Sequence, residues 1–205
     1  TFGAKLTPRD AYRFARGEEL MSNTGQPVKL SSPLDFLVVA VHSDNMGLYT
    51  DLAAGKPELI ANPKGRRWYD MIQSGKGVEA ALEIIFAFGD GSFPKEMIYQ
   101  PDTSAYRSAW QGEIKAAEEY NDPGRFTAFI GFEWTPTPGG DNLHRNVVLR
   151  DGADRASQVF PFSSWNSEDP EKLWAWMESY EQRTGGRALA IPHNGNLSNG
   201  RMYAG

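Results

Sequence analysis

The chain has 205 residues, enough for one domain with a sizeable core or for two small domains. Hydrophobic residues make up 40% and charged residues 23%, which is typical of a globular protein, and the net charge of -5 argues against non-specific nucleic-acid binding. Cysteine is absent, which excludes disulfides and thiolate metal sites, and no apolar run approaches the length of a membrane span.

The first half of the chain contains one clear helix start and one clear strand. Thr7–Asp10 supplies a capping threonine, a proline for the first helical position and an acid that complements the helix dipole. Leu34–Val41 is apolar nearly throughout, which predicts a strand buried on both faces, as in parallel sheets. Residues 49–101 give a weaker pattern: Val78–Phe88 has the composition of a helix, and the basic cluster Lys64–Arg67 is interpreted as a solvated turn leading into a helix, with an anion-attracting patch as the alternative.

The second half alternates helices with apolar strands. Asp102–Tyr120 predicts a helix capped by Asp102, and the apolar run Phe126–Phe132 predicts the strand that follows it. Asp169-Pro170 begins another helix, and Ala188–Ile191 predicts the next strand. This alternation predicts a single α/β domain over residues 1–205 with a parallel sheet. Sheets and barrels of this class place functional residues at the carboxyl ends of their strands.

All three histidines and one glutamate adjoin apolar runs, and they are His42, Glu133, His144 and His193. A single histidine at a strand end is more often a buried, hydrogen-bonded residue than a ligand, so the joint pattern is the stronger indication. Neutral imidazoles and a carboxylate are suitable ligands for a divalent ion, and a carboxylate can bridge two ions, as in two-metal hydrolysis. Without cysteine, this set favours zinc, manganese or iron.

Polar loops beside these residues supply further candidates. Asp44 and Glu133 are the candidate catalytic acids. Arg145 and Arg201 could hold an anionic substrate oxygen, and Asn194 is another candidate substrate contact. The alternatives are turn formation for the Asn and Asp residues and a structural salt bridge for Arg145. The sequence contains no Walker loop, no GxGxxG after a strand and no GxSxG elbow.

Five segments, in chain order, carry a family resemblance: LTPRDAYRFARGE (Leu6–Glu18), PLDFLVVAVHSDNMGL (Pro33–Leu48), FIGFEWT (Phe129–Thr135), NLHRNVVLRD (Asn142–Asp151) and ALAIPHNGNLSNGRM (Ala188–Met202). They resemble the bacterial family called domain of unknown function 3604, which is similar to the PHP (polymerase and histidinol phosphatase) metal-dependent phosphoesterases. The likeness implies a partial, distorted β/α barrel with a multinuclear metal site at its mouth. It also implies that the three histidines and Glu133 occupy metal-ligand positions.

Two departures from the family pattern bear on activity. The His-x-His strand that opens the family and its closing Asp-x-His element are not in these residues, so we expect a fragment of a longer PHP-like domain with an incomplete site. The residue before His42 is Val41, where the family usually has Asp, and Asp44 is too far along the chain for a simple replacement.

The residues and the resemblance together favour a metal-dependent hydrolase of a phosphate ester or a related oxyanion ester, although the fragment itself is expected to bind metal weakly or not at all and to have little or no activity. Two alternatives stay open: a degenerate, non-catalytic PHP-like domain for binding or assembly, and a metal-dependent amidohydrolase. The expected partner is a small anionic ester, with no nucleic acid and no membrane span. A periplasmic or secreted location is favoured, with no leader in this chain, and the oligomeric state is left open.

Overall fold

Two sheets form the strand framework of the computed structural model, which describes residues 6–203. The smaller sheet pairs two strands antiparallel, β1 (Leu20–Met21) and β2 (Pro27–Val28). The larger sheet contains β3 (Phe36–Val38), β4 (Val41–His42), β5 (Thr127–Trp134), β6 (Arg145–Leu149) and β7 (Ala188–Pro192). Both β3 and β4 pair parallel with β5, whereas β6 pairs antiparallel with β5 and with β7.

Eight α-helices and three short 3-10 turns complete residues 6–203. The helices are α1 (Pro8–Ala15), α2 (Leu48–Ala53), α3 (Pro57–Ile60), α4 (Pro63–Gln73), α5 (Gly77–Gly89), α6 (Ser104–Tyr120), α7 (Ala153–Ala156) and α8 (Pro170–Thr184), and the turns are Lys95–Met97, Pro138–Gly140 and Gly195–Leu197. Within this described part of the chain, no helix is long and apolar enough to cross a bilayer.

Helix starts follow the capping signals in the sequence, with one correction. Thr7 caps α1 in a reciprocal capping box with Asp10, and Asp169 caps α8 by accepting from a backbone N–H, as predicted. The cap of α6 is Thr103, whose hydroxyl accepts from the backbone N–H of Tyr106, so the prediction of Asp102 was wrong by one residue. Aspartate and threonine are both favourable N-cap residues, and the backbone conformation at this helix start places Thr103 in the cap position.

The helices and strands confirm the predicted α/β class. The sheet is mixed, so the prediction of a parallel sheet holds only for the pairs of β3 and β4 with β5. Residues 135–144 link β5 to β6, and a parallel pairing needs a crossover of about a dozen residues or more, usually with a helix. The chain instead turns back on itself, so β6 runs antiparallel. Among the described residues the larger sheet is open, and the barrel implied by the family likeness is not formed.

Helices cover one face of the larger sheet and leave the other face open. Phe132 of β5 contacts Trp110 of α6 and Trp176 of α8, with ring centroids 6.2 and 5.3 Å apart. On the opposite face, Leu189 is 60% exposed and Phe36 is 62% exposed. The prediction that the Leu34–Val41 strand is buried on both faces is therefore wrong.

Residues 48–89, where the sequence pattern was weak, fold as the four helices α2 to α5. Asn62 caps α4 and Pro63 fills its first position, so the basic cluster Lys64–Arg67 lies inside the helix and not in a turn before it. Arg67 pairs with Glu83 of α5 at 2.6 Å, which joins the two helices at the surface.

Candidate metal centre

The antiparallel strand brings all four predicted ligands to one edge of the larger sheet. His42 ends β4 and is paired with Glu133 near the end of β5. His193 directly follows the end of β7, at the same edge. Because β6 runs the opposite way, its beginning lies beside these strand ends, which explains why His144 precedes a strand while His42 ends one and His193 follows one.

Side-chain alternation places the ligands on the open face of that edge. Trp134 and Arg145 are paired in the register and are both buried on the helix-covered face. Their neighbours Glu133 and His144 therefore point to the opposite face. His193 reaches the same face, since its Nε2 lies 2.9 Å from Glu133 Oε1.

Three imidazoles surround one buried carboxylate. Glu133 is 8% exposed, and its Oε1 lies 3.0 Å from His144 Nδ1 and 2.9 Å from His193 Nε2. Its other oxygen, Oε2, lies 3.5 Å from His42 Nε2. The two carboxylate oxygens thus face different histidines.

The inner part of this cluster fits a divalent ion. One ligand atom from each of Glu133, His144 and His193 lies within 4.8 Å of the other two. Ligand atoms around a tetrahedral zinc ion, with bonds of about 2.0–2.2 Å, are about 3.3 Å apart. The observed separations of 2.9 and 3.0 Å from Oε1 need only small adjustments to admit an ion.

The protonation states also favour ion binding. Burial raises the pKa of Glu133, but the hydrogen bond from His144 and the neighbouring imidazoles outweigh it, so the pKa lies below its ordinary value. Desolvation is the main cause that lowers the pKa of His42. One side of the ring remains in contact with solvent. An ionised carboxylate and a neutral imidazole are the forms that ligate metals.

Asp44, a predicted catalytic acid, lies beside the cluster and is not part of it. Its Oδ1 accepts from the backbone N–H of Ser164 at 3.0 Å and from the Ser164 hydroxyl at 2.6 Å. Its Oδ2 accepts from the Thr135 hydroxyl. Asp44 therefore ties the loop after β4 to the loop after β5 and to the segment around Ser164.

The predicted substrate contact Arg145 lies on the far side of the sheet from Glu133. Its guanidinium group is sandwiched between Trp134 and Trp174, 5.6 and 5.4 Å from the ring centroids, and donates to the carbonyl of Leu143 at 2.6 Å. Burial lowers the pKa of Arg145. No carboxylate pairs with Arg145 in residues 6–203, so aromatic rings take the place of the salt bridge weighed as the alternative.

The other two predicted substrate contacts lie in the turn after β7. Arg201 donates to Asp141 Oδ2 at 2.9 Å and to the carbonyl of Pro138 at 3.1 Å, which ties that turn to the loop before His144. Asn194 has a left-handed backbone with φ of 59°, directly after His193. This conformation fits the turn-forming role weighed for Asn194 in the sequence.

Two polar residues at the centre were not predicted. Asn146 is paired with Glu133 in the sheet register, and Thr137 Oγ1 lies 3.3 Å from His144 Nε2. Asn146 could have been found by strand alternation, since it is two residues after His144. Thr137 gives no such signal, because only the path of the loop brings it to the ring.

Comparisons with known proteins place the chain in a family without assigning an activity. No curated protein matches the sequence, and no solved structure does. The sequence profile described as "Protein of unknown function (DUF3604)" matches residues 1–205. With its whole length matched by that profile, the chain belongs to the DUF3604 family, as the sequence segments had indicated.

Proposed function

We propose that this chain is part of a metal-dependent hydrolase that cleaves a phosphate ester or a related oxyanion ester. The observation that carries the proposal is the convergence of three imidazole nitrogens on the single buried carboxylate of Glu133, at 2.9, 3.0 and 3.5 Å. A structural role does not need all the histidines of a chain at one edge of a sheet. The proposal includes the PHP-like barrel that the family likeness implies, with this open sheet as one part of it.

The two carboxylate oxygens would serve two ions. Glu133 Oε1, His144 and His193 would hold one ion, Glu133 Oε2 and His42 would hold a second, and Glu133 would thus contribute to both. A bound divalent ion, zinc, manganese or iron, supplies Lewis-acid polarisation of the ester and acidifies a water. His42 has a side chain 54% exposed, against 15% for His144 and 30% for His193, so substrate would approach from the side of His42.

The charge distribution bears on how substrate would be held. Arg145 is enclosed by tryptophans and Arg201 is paired with Asp141, so neither guanidinium group is directed at Glu133. The charge of an anionic ester would therefore be balanced mainly by the ions, with Asn146 as a neutral donor beside them.

The proposal is tested by metal content and hydrolysis together. The chain is purified without chelator, analysed for zinc, manganese and iron, and assayed on a panel of phosphate mono- and diesters. The same measurements are made on the full-length gene product, whatever its length. His144→Ala and His193→Ala are expected to lose bound metal and any hydrolysis. Glu133→Gln should do the same, whereas the matched change Glu58→Gln, at an exposed site on α3, should have no effect. Intact metal content and activity in both histidine variants would refute the proposal.

A non-catalytic metal-binding domain is the second candidate, and the engagement of both arginines by other protein groups favours it. Stoichiometric metal without turnover of esters or amides in the full-length protein would support this candidate. Turnover of amides with no turnover of esters would support the amidohydrolase instead.

A further inference from the structure

Thr137 is placed to control which nitrogen of His144 carries the ring proton. The ring lies between two oxygens: Glu133 Oε1 is 3.0 Å from Nδ1, and Thr137 Oγ1 is 3.3 Å from Nε2. A neutral imidazole has one N–H donor and one acceptor nitrogen. A carboxylate can only accept, so a neutral His144 ring satisfies both contacts when Nδ1 carries the proton and Nε2 accepts from the Thr137 hydroxyl.

Ion binding demands the opposite arrangement. An ion held by Glu133 and His144 Nδ1 would need the lone pair of that nitrogen, so the ring proton would lie on Nε2 and be donated outward. A hydroxyl can accept that proton as readily as it could donate its own. A carboxylate or a backbone carbonyl in its place would only accept, and so would fit one of the two arrangements.

In the described part of the chain, the neighbouring candidate ligand His193 has no such hydroxyl on the ring nitrogen that faces away from Glu133. Its Nε2 also faces Glu133 Oε1, at 2.9 Å, but its buried Nδ1 has no hydrogen-bond partner among residues 6–203. Within the described residues, only one of the two imidazoles on Oε1, that of His144, has a second polar group in contact with its outer nitrogen.

The loop between β5 and β6 holds Thr137 in this position. The backbone N–H of Leu143 donates to the carbonyl of Pro136 at 3.1 Å, and the backbone N–H of Thr137 donates to Glu168 Oε1 at 3.3 Å. Neither contact uses the Thr137 side chain, so its hydroxyl can rotate between donating and accepting.

We infer that Thr137 is a positioning residue for the metal centre: its hydroxyl donates to His144 Nε2 in the metal-free protein and accepts from it when an ion is bound. The inference rests on the proposed metal binding. The inference adds Thr137 to the candidate centre as a residue that does not itself ligate the ion. It concerns the affinity for the metal ion and the tautomer of His144, and not the choice of substrate.

The test compares Thr137→Val, which has nearly the same shape without the hydroxyl, with Thr137→Ser, which keeps it. Thr137 is exposed, so neither change disturbs the core. Zn²⁺ affinity is measured by calorimetry at pH 8, where a free imidazole is neutral. We expect Thr137→Ser to bind like the wild type and Thr137→Val to bind about tenfold more weakly, the lower end of the range for such outer partners. Equal affinity in all three proteins would overturn the inference.

A second readout needs no affinity difference. Long-range ¹H–¹⁵N correlation spectra, with the His144 signals assigned by their loss in His144→Gln, report the tautomer directly. We expect the proton on Nδ1 without Zn²⁺ and on Nε2 with Zn²⁺, and a proton on Nε2 in both states would overturn the inference.

The two proposals can fail separately. Zn²⁺ binding with the expected tautomer change, but without hydrolysis in the full-length protein, would refute the hydrolase and support the role of Thr137. If the wild type hydrolyses an ester and Thr137→Val binds Zn²⁺ with unchanged affinity, the hydrolase is supported and the role of Thr137 is refuted. A wild-type chain that binds no Zn²⁺ would overturn the role of Thr137 together with the metal site.

Discussion

Removing the charge from Glu113 should stabilise the protein at alkaline pH. Glu113 lies on α6, where α1 packs, and burial raises the pKa of its carboxyl from 4.5 to about 7, with the charge of Arg9 acting in the opposite direction. Arg9 is engaged at 2.7 Å by Glu119, so it is not a dedicated partner. The folded protein therefore holds a proton on Glu113 more tightly than the unfolded chain does.

The sign and size of the effect follow from linkage. A rise in pKa from 4.5 to about 7 corresponds to ~3 kcal/mol of folding free energy. Because the folded-state pKa is raised, this contribution is fully present below pH 4.5. It declines between pH 4.5 and pH 7 and is lost at pH 8. Glutamine imitates the protonated acid at every pH, so Glu113→Gln should keep the contribution.

Urea denaturation followed by tryptophan fluorescence measures the difference. We expect Glu113→Gln to exceed the wild type in unfolding free energy by ~3 kcal/mol at pH 8 and by under ~1 kcal/mol at pH 4.5. The control Glu178→Gln, at an exposed site in the middle of α8, should match the wild type at both values of pH. A wild-type to Glu113→Gln difference that does not change with pH would refute the reasoning.

Two further substitutions test the packing. Arg145→Ala should lower the unfolding free energy by about 2–4 kcal/mol, because it removes two cation–π contacts and the hydrogen bond to the Leu143 carbonyl, and a urea midpoint equal to that of the wild type would contradict this account. Gly65→Ala should destabilise α4 by about 1–3 kcal/mol, because the new Cβ would lie 2.0 Å from the Leu59 carbonyl oxygen. The same change at Gly112 in α6 should instead stabilise by about 0.5–1 kcal/mol, because beyond the adjoining helix backbone and chain neighbours a new Cβ there would meet no atom of residues 6–203 within 4 Å. Thermal melts of the two variants that shift in the same direction would show that the reasoning is wrong.

The convergence of the candidate ligands could be predicted from sequence because its signals are local. An apolar run followed by a histidine identifies a strand and its carboxyl end without knowledge of the neighbouring strands, as at His42 and His193. The direction of β6 could not be predicted this way, since it depends on how residues 135–144 close and on which strand is already in place. The open sheet face was missed for the same reason: a strand of apolar residues does not reveal whether a helix covers both sides.

The roles of single polar residues could not be predicted from sequence, because they depend on contacts between distant parts of the chain. Arg145 was predicted to contact substrate because it is next to His144 in the sequence. Adjacent residues along a strand, however, point to opposite faces of the sheet. Its partner Trp174 comes from α8, which no local pattern links to β6. Asp44 follows His42 closely in the chain and lies beside the cluster, but its contact with Ser164 could be seen only in three dimensions.

The hairpin between β5 and β6 also determines where the length of this chain can vary. Residues added near Gly139 and Gly140, at the tip of the loop, would leave the paired strands unchanged. One residue inserted or deleted within β6 would shift its register and exchange its two faces. The guanidinium group of Arg145 would then occupy the ligand position, and the imidazole of His144 would face the tryptophans. Relatives that keep the centre should therefore differ in length at the loop tip and not in the strand.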